Sequence, residues 1–176
     1  MAFIEEIPKS PLQQAVDMAL PTEASPTPEL SENELLELYN IADGVPVAES
    51  ATELGKGKST ISKIRTGLDR KFQADTRPQT LFKAVVHEVV LVRPVPRGVF
   101  VLEDREEIVL GRLAQGESSR QIGSVLGVSA TIVDQKIYQL YSRLGVNNRE
   151  RMIYAACQRL LFPLQLSYMQ NEVDKL

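Results

Sequence analysis

Lys58, Ser59, Thr60, Ser62, Lys63, Thr66 and Arg70 place ammonium, guanidinium and hydroxyl donors within thirteen residues. Such groups donate hydrogen bonds to anionic and carbonyl oxygens. A lysine at position 63 could donate to guanine O6 or N7, and the hydroxyls of Ser62 and Thr66 could bond several bases or touch a thymine methyl. Lys58, Ser59 and Thr60 lie where a helix would begin, so free backbone N–H groups and the helix dipole would favour a phosphate there. A second set lies further on, at Thr131, Gln135, Lys136, Tyr138 and Arg143, interrupted by Asp134, whose carboxylate repels phosphate but can accept from cytosine N4.

Other chemistries find little support. With one histidine and one cysteine there is no zinc cluster, and the lone Cys157 makes an internal disulfide impossible. His87, beside Val85, Val86 and Val89, reads as a packed or partly exposed side chain rather than a ligand, and Cys157 as an inert packed thiol. Gly57-Lys58-Ser59 superficially suggests a phosphate-binding loop, but the glycine that such a loop needs earlier falls on Thr52 and no strand precedes it. No acid–base or nucleophilic constellation is present, so no enzyme is expected, and no cofactor.

The donors need helices to aim them. Ile61, Ile64, Leu68 and Phe72 are spaced to share one face of a helix, which turns Ser62, Lys63, Thr66 and Arg70 outward. Val133, Ile137, Leu140 and Leu144 do the same further on, turning Asp134, Gln135, Tyr138 and Ser142 outward. Upstream of each stripe lies a shorter helix closed by a left-handed glycine, at Gly55 and at Gly127. Helix, tight turn and second amphipathic helix make a helix-turn-helix.

The two units are copies at a shift of 72 residues without a gap. Leu30, Glu34, Leu38, Ala42 and Gly44 fall on Leu102, Glu106, Leu110, Ala114 and Gly116, and Leu54-Gly55, Leu68 and Arg77 fall on Leu126-Gly127, Leu140 and Arg149. Two copies are too few for a solenoid, so duplication of a small domain is the better reading. In the first, Ser31 with Glu34 forms a capping-box signature. Helices are expected near Val47–Leu54, from Ser59 or a near neighbour to Phe72, and from Gln79 through Val90. Ahead of them, Ser10-Pro11 starts an amphipathic helix with an apolar stripe of Leu12, Ala15, Val16, Ala19 and Leu20. So short a helix should dock on a domain or a partner.

Charge is uneven. The net charge of −3 argues against indiscriminate coating of nucleic acid. Residues 56–77 hold seven basic residues against Asp69 and Asp75, or +5; residues 128–149 hold three against Asp134, or +2. Residues 1–29 carry five acidic residues against Lys9, or −4. A positive stripe along the first reading helix suits phosphate neutralisation.

The second unit resembles the LuxR-type helix-turn-helix domains of bacterial regulators. The resemblance rests on Gly116, Ile122, Leu126-Gly127-Val128-Ser129, Val133 and Arg143-Leu144-Gly145-Val146-Asn147-Asn148-Arg149. The first unit keeps Leu54-Gly55, Ser59-Thr60-Ile61, Leu68 and Lys71-Phe72 of the pattern. Thr60 matches a backbone-contacting position of that family, where the second unit has Ile132; Asp134 stands where a basic residue is common.

The expected fold is therefore all-α: two tandem four-helix LuxR-type helix-turn-helix domains at 30–92 and 102–162. Residues 1–29 form an N-terminal helix and flexible linker, 93–101 a short β-hairpin or extended linker, and 163–176 an apolar tail. The expected function is a sequence-specific DNA-binding transcriptional regulator, with the first unit as principal reader. Its partners are double-stranded DNA, a second copy in a homodimer through the fourth helices that the resemblance implies, and RNA polymerase or another regulator. The place is cytoplasmic, at the nucleoid. Single-chain reading through both units, a protein-interaction adaptor or anti-activator, and a sigma-like polymerase-docking factor are the alternatives.

Overall fold

A computed structural model describes residues 11–23, 25–90 and 102–160, which form nine α-helices. They are α1 (Pro11–Ala19), α2 (Glu32–Ala42), α3 (Val47–Glu53), α4 (Lys58–Lys71), α5 (Arg77–Val86), α6 (Asp104–Ala114), α7 (Ser119–Leu126), α8 (Ala130–Leu144) and α9 (Arg149–Leu160). Among the described residues there is no strand. The expected hairpin or linker at 93–101 and the tail at 163–176 lie outside them.

The starts of α2, α3, α4 and α5 each precede those of α6, α7, α8 and α9 by 72 residues. The local causes repeat as well. Ser31 and Glu34 close a capping box at the head of α2, and Glu103 and Glu106 close one at the head of α6. The capping glutamates then take a cation from the far end of α4 and of α8: Lys71 Nζ lies 2.8 Å from Glu34, and Arg143 ion-pairs with Glu106. That clamp holds α4 across α2 and α8 across α6.

Gly57, a near neighbour of Ser59, is the N-cap of α4, so Lys58 is already helical. The fourth helix of the first half starts at Arg77, two residues before the expected Gln79. It ends at Val86 instead of Val90. Glu88 there adopts a φ of 58°, and the Val89 and Val90 N–H groups turn back onto the Ala84 carbonyl. The reversal buries Val90 in the core, where a continuing helix would have carried it away.

One apolar core runs through both halves. Leu38, Leu68, Leu81 and Phe82 belong to the same cluster as Leu110, Ile122, Leu140 and Met152. Helix α5 packs on α9, and α2 and α6 reach across to the opposite fourth helix. Helix α1 docks within the chain, along α6 and against α5, burying Ala15 and Ala19. Gly111 admits it: a Cβ there would lie 2.8 Å from the Pro11 carbonyl oxygen. No helix among the described residues is long and apolar enough to cross a membrane.

Candidate nucleic-acid interface

The turn before α8 is set by two glycines. Gly127 ends α7 with a φ of 67°, a left-handed conformation that glycine adopts without a steric penalty. The chain then crosses so close to α7 that a Cβ on Gly123 would lie 2.6 Å from the Val128 carbonyl oxygen. Ser129 caps α8 by accepting from the Ile132 N–H. Burial of Val133, Ile137, Leu140 and Leu144 fixes the rotation of α8, as their spacing predicts. Thr131, Gln135 and Tyr138 are left exposed on it.

On α4, Ile61, Leu68 and Phe72 are buried while Ile64 is half-buried. Lys58, Ser59, Thr60, Ser62, Lys63, Thr66 and Arg70 are all exposed. The Thr66 hydroxyl donates to the Ser62 carbonyl at 3.0 Å, leaving its oxygen lone pairs and methyl outward. The seven side chains thus share one accessible strip.

The basic residues near α4 divide sharply. Arg65 turns into the core: its Nε lies 2.5 Å from Glu37, its guanidinium also donates to the Val45 carbonyl and Ser50 hydroxyl, and Glu37 is fully buried. Arg77 pairs with Asp69 at 3.0 Å and Lys71 with Glu34. Lys56, Lys58, Lys63 and Arg70 form no ion pair among the described residues. The positive stripe is consequently narrower than +5 suggests, and it is centred on α4.

On α8 the cations are spoken for. Lys136 pairs with Glu103 at 3.2 Å and Arg143 with Glu106. Arg149 lies 3.2 Å from Asp134, and both bond the Ser119 hydroxyl. Asp134 is therefore not a bare carboxylate pointing into a groove, as its helical position suggests, but one clamped by a guanidinium and a hydroxyl. Burial works to raise the Glu106 pKa; the hydrogen bonds from Arg143 and the Glu103 N–H outweigh it and hold the carboxyl below its ordinary value. The same Glu106 raises the Arg143 pKa. Between these paired cations, of which Arg143 stays exposed and Lys136 half-buried, α8 presents an uncharged and partly apolar surface, with Ile132 46% and Tyr138 69% exposed.

The inward network of Arg65 escapes a reading of charge alone. Its signal lay in the repeat: Glu37, Ser50 and Arg65 fall on Val109, Ile122 and Ile137, so three core positions change character together. Cys157 is buried, which pushes its thiol up to about 12, consistent with packing rather than reactivity. No group of acidic, histidine and cysteine side chains among the described residues could hold a metal ion.

Residues 101–156 match the family model described as GerE, bacterial regulatory proteins, luxR family. This stretch, which contains α6 to α8 and most of α9, is a single LuxR-family GerE domain. The chain is also similar to the transcriptional regulatory protein YdfI of Bacillus subtilis (strain 168), at 29% identity over 117 residues. That alignment covers 56% of this chain and 55% of the relative, so the chain spans about half the length of the curated protein it matches. No solved structure matches it.

Proposed function

We propose that the chain is a sequence-specific DNA-binding transcriptional regulator in which residues 30–92 are a second, diverged LuxR-type domain and supply the principal reading helix. The observation that carries this reading is the contrast between α4 and α8. Lys58, Lys63 and Arg70 stand exposed and without ion pairs among the described residues, beside the exposed hydroxyls of Ser59, Thr60 and Ser62. Every lysine and arginine of residues 128–149 is paired with a carboxylate. Free cations on a helix that fits the major groove neutralise phosphates and reach guanine edges; neutralised ones do neither well.

The identity of the second half as a GerE domain and the likeness to a transcriptional regulator support the DNA target. The equal helix offsets and repeated capping clamps support a duplicated domain. Lys58, Ser59 and Thr60 then hold phosphate, while Ser62, Lys63, Thr66 and Arg70 face bases and the groove wall. Thr131, Gln135 and Tyr138 face a second groove with little charge; Lys136 and Arg143 chiefly brace α8.

Affinity for a mixed-sequence duplex, measured across a salt series, tests the charge argument. Phosphates neutralised by Lys56 and Lys58, with Arg70 reaching a third at the groove wall, give a log–log slope of roughly −2 to −3. Replacing Lys58 with alanine should bring that slope about one unit nearer zero. A slope near zero for the intact chain would instead mark an apolar protein-docking module.

A further inference from the structure

The contacts between the two halves come in matched pairs. Helix α2 packs on α9, and its counterpart α6 packs on α5, the counterpart of α9. The correspondence holds residue by residue. Gly44 lies under Arg151, where a Cβ would sit 2.3 Å from Cδ; Gly116, 72 positions after Gly44, lies under Gln79, 72 positions before Arg151, at 2.6 Å from Oε1. Both glycines hold positive φ, 73° and 89°. When i touches j and the copy of j touches the copy of i, the interface is isologous, the signature of a two-fold axis. Here both sides of that interface belong to one chain, and α5 packs on α9 along it.

Resting on the DNA reading above, we infer that one chain is an internal pseudo-dimer that binds, as a monomer, an operator of two inverted and unlike half-sites. The pseudo-axis relates α4 to α8, so it presents two reading helices as two subunits otherwise would. The surface that a homodimer through the fourth helices would need is already occupied by α5 against α9. Helix α1, which has no copy among the described residues and lies across α6 and α5, fixes the halves together; His87 ties its end by a 2.8 Å bond to the Ala19 carbonyl.

The reading faces differ, so the half-sites must differ. Lys63 corresponds to Gln135 and Thr66 to Tyr138. Lysine suits guanine O6 and N7, whereas glutamine suits adenine N6 and N7. The half-site under α4 carries guanine and most of the phosphate contacts. The half-site under α8 carries adenine and is delivered at high effective concentration by the fold itself, which is why α8 functions with its cations paired.

The test combines light scattering of the full chain, native mass of its complex with the duplex it selects from a random library, and the motifs selected by Lys63→Ala and Gln135→Ala. The inference predicts one chain in solution and one chain per duplex. Each variant should relax a different half of the motif, losing roughly ten- to hundred-fold preference at its own base while sparing the other half. Two chains per duplex, a palindrome relaxed on both sides by Lys63→Ala, or a motif with one half-site alone would overturn it. No selected motif at all would refute the DNA reading itself, an outcome distinct from a two-to-one complex.

Discussion

Replacing Arg65 with isoleucine isolates a buried polar knot whose counterpart positions in the second half are apolar. Its guanidinium is the only cation bonded to Glu37 among the described residues, and Glu37 is 0% exposed, with Oε2 already lacking a partner. Removing one member of a buried ion pair costs about 3–5 kcal/mol, because the remaining charge stays buried without compensation. For a chain of this size each kcal/mol moves the midpoint by about 2–4 °C, so the single variant should melt roughly 6–20 °C below the parent. The second half of the molecule supplies the rescue. The triple variant Glu37→Val, Ser50→Ile and Arg65→Ile carries the side chains of Val109, Ile122 and Ile137, and exchanging a buried ion pair for packed apolar groups is neutral or stabilising by about 1–4 kcal/mol. Thermal unfolding at pH 7, followed by far-ultraviolet circular dichroism, should therefore return the triple variant to within a few degrees of the parent or above it, by the same conversion. An Arg65→Ile variant as stable as the parent, or a triple variant no better than the single, would refute the account of these positions as equivalent core sites.

Two further perturbations act on the backbone and on protonation. Gln73 holds a left-handed φ of 49° where its counterpart Gly145 has 69°, so Gln73→Gly should stabilise by about 1 kcal/mol through relief of strain; an unchanged denaturant midpoint would contradict this. Burial lowers the His87 pKa from its ordinary 6.5, the bond to the Ala19 carbonyl opposes that shift, and the Lys83 charge adds to it. The unfolded chain therefore binds the proton more readily: stability is fully present above pH 6.5 and falls as pH drops from there toward the folded pKa. Protonation would place an N–H on Nδ1, which is buried without a partner. His87→Gln should flatten the loss of stability between neutral and mildly acid pH, and a variant with the parent's pH slope would show that His87 does not set it.

Much of this architecture was legible because its local signals agree. Ser31 with Glu34, Gly127 after a short amphipathic stretch, and the stripe of Val133, Ile137, Leu140 and Leu144 each specify one geometry through short-range physics. The outward turn of Lys63 and Arg70 follows from the stripe opposite them. What escaped were the outcomes of competition between distant groups. Arg65 reads as part of a positive face until Glu37, 28 residues away, draws it inward. Asp134 reads as a free carboxylate until Arg149 and Ser119 bond it, although its side chain stays partly exposed. The apolar run through Val89 and Val90 extends α5 in sequence, whereas in the fold Val90 is buried by folding back. The pairing of α5 with α9 needed the three-dimensional packing, since a repeat declares two equivalent units but not how they meet.

The central claim is that α4 reads DNA sequence, and selection of bound duplexes from a random library by the parent and by Lys63→Ala, side by side at moderate salt, tests it most directly. The account predicts a defined motif from the parent and relaxation of its guanine-bearing half in the variant. An identical motif from both proteins would remove α4 from the reading role, and no enrichment by the parent would contradict the account as a whole.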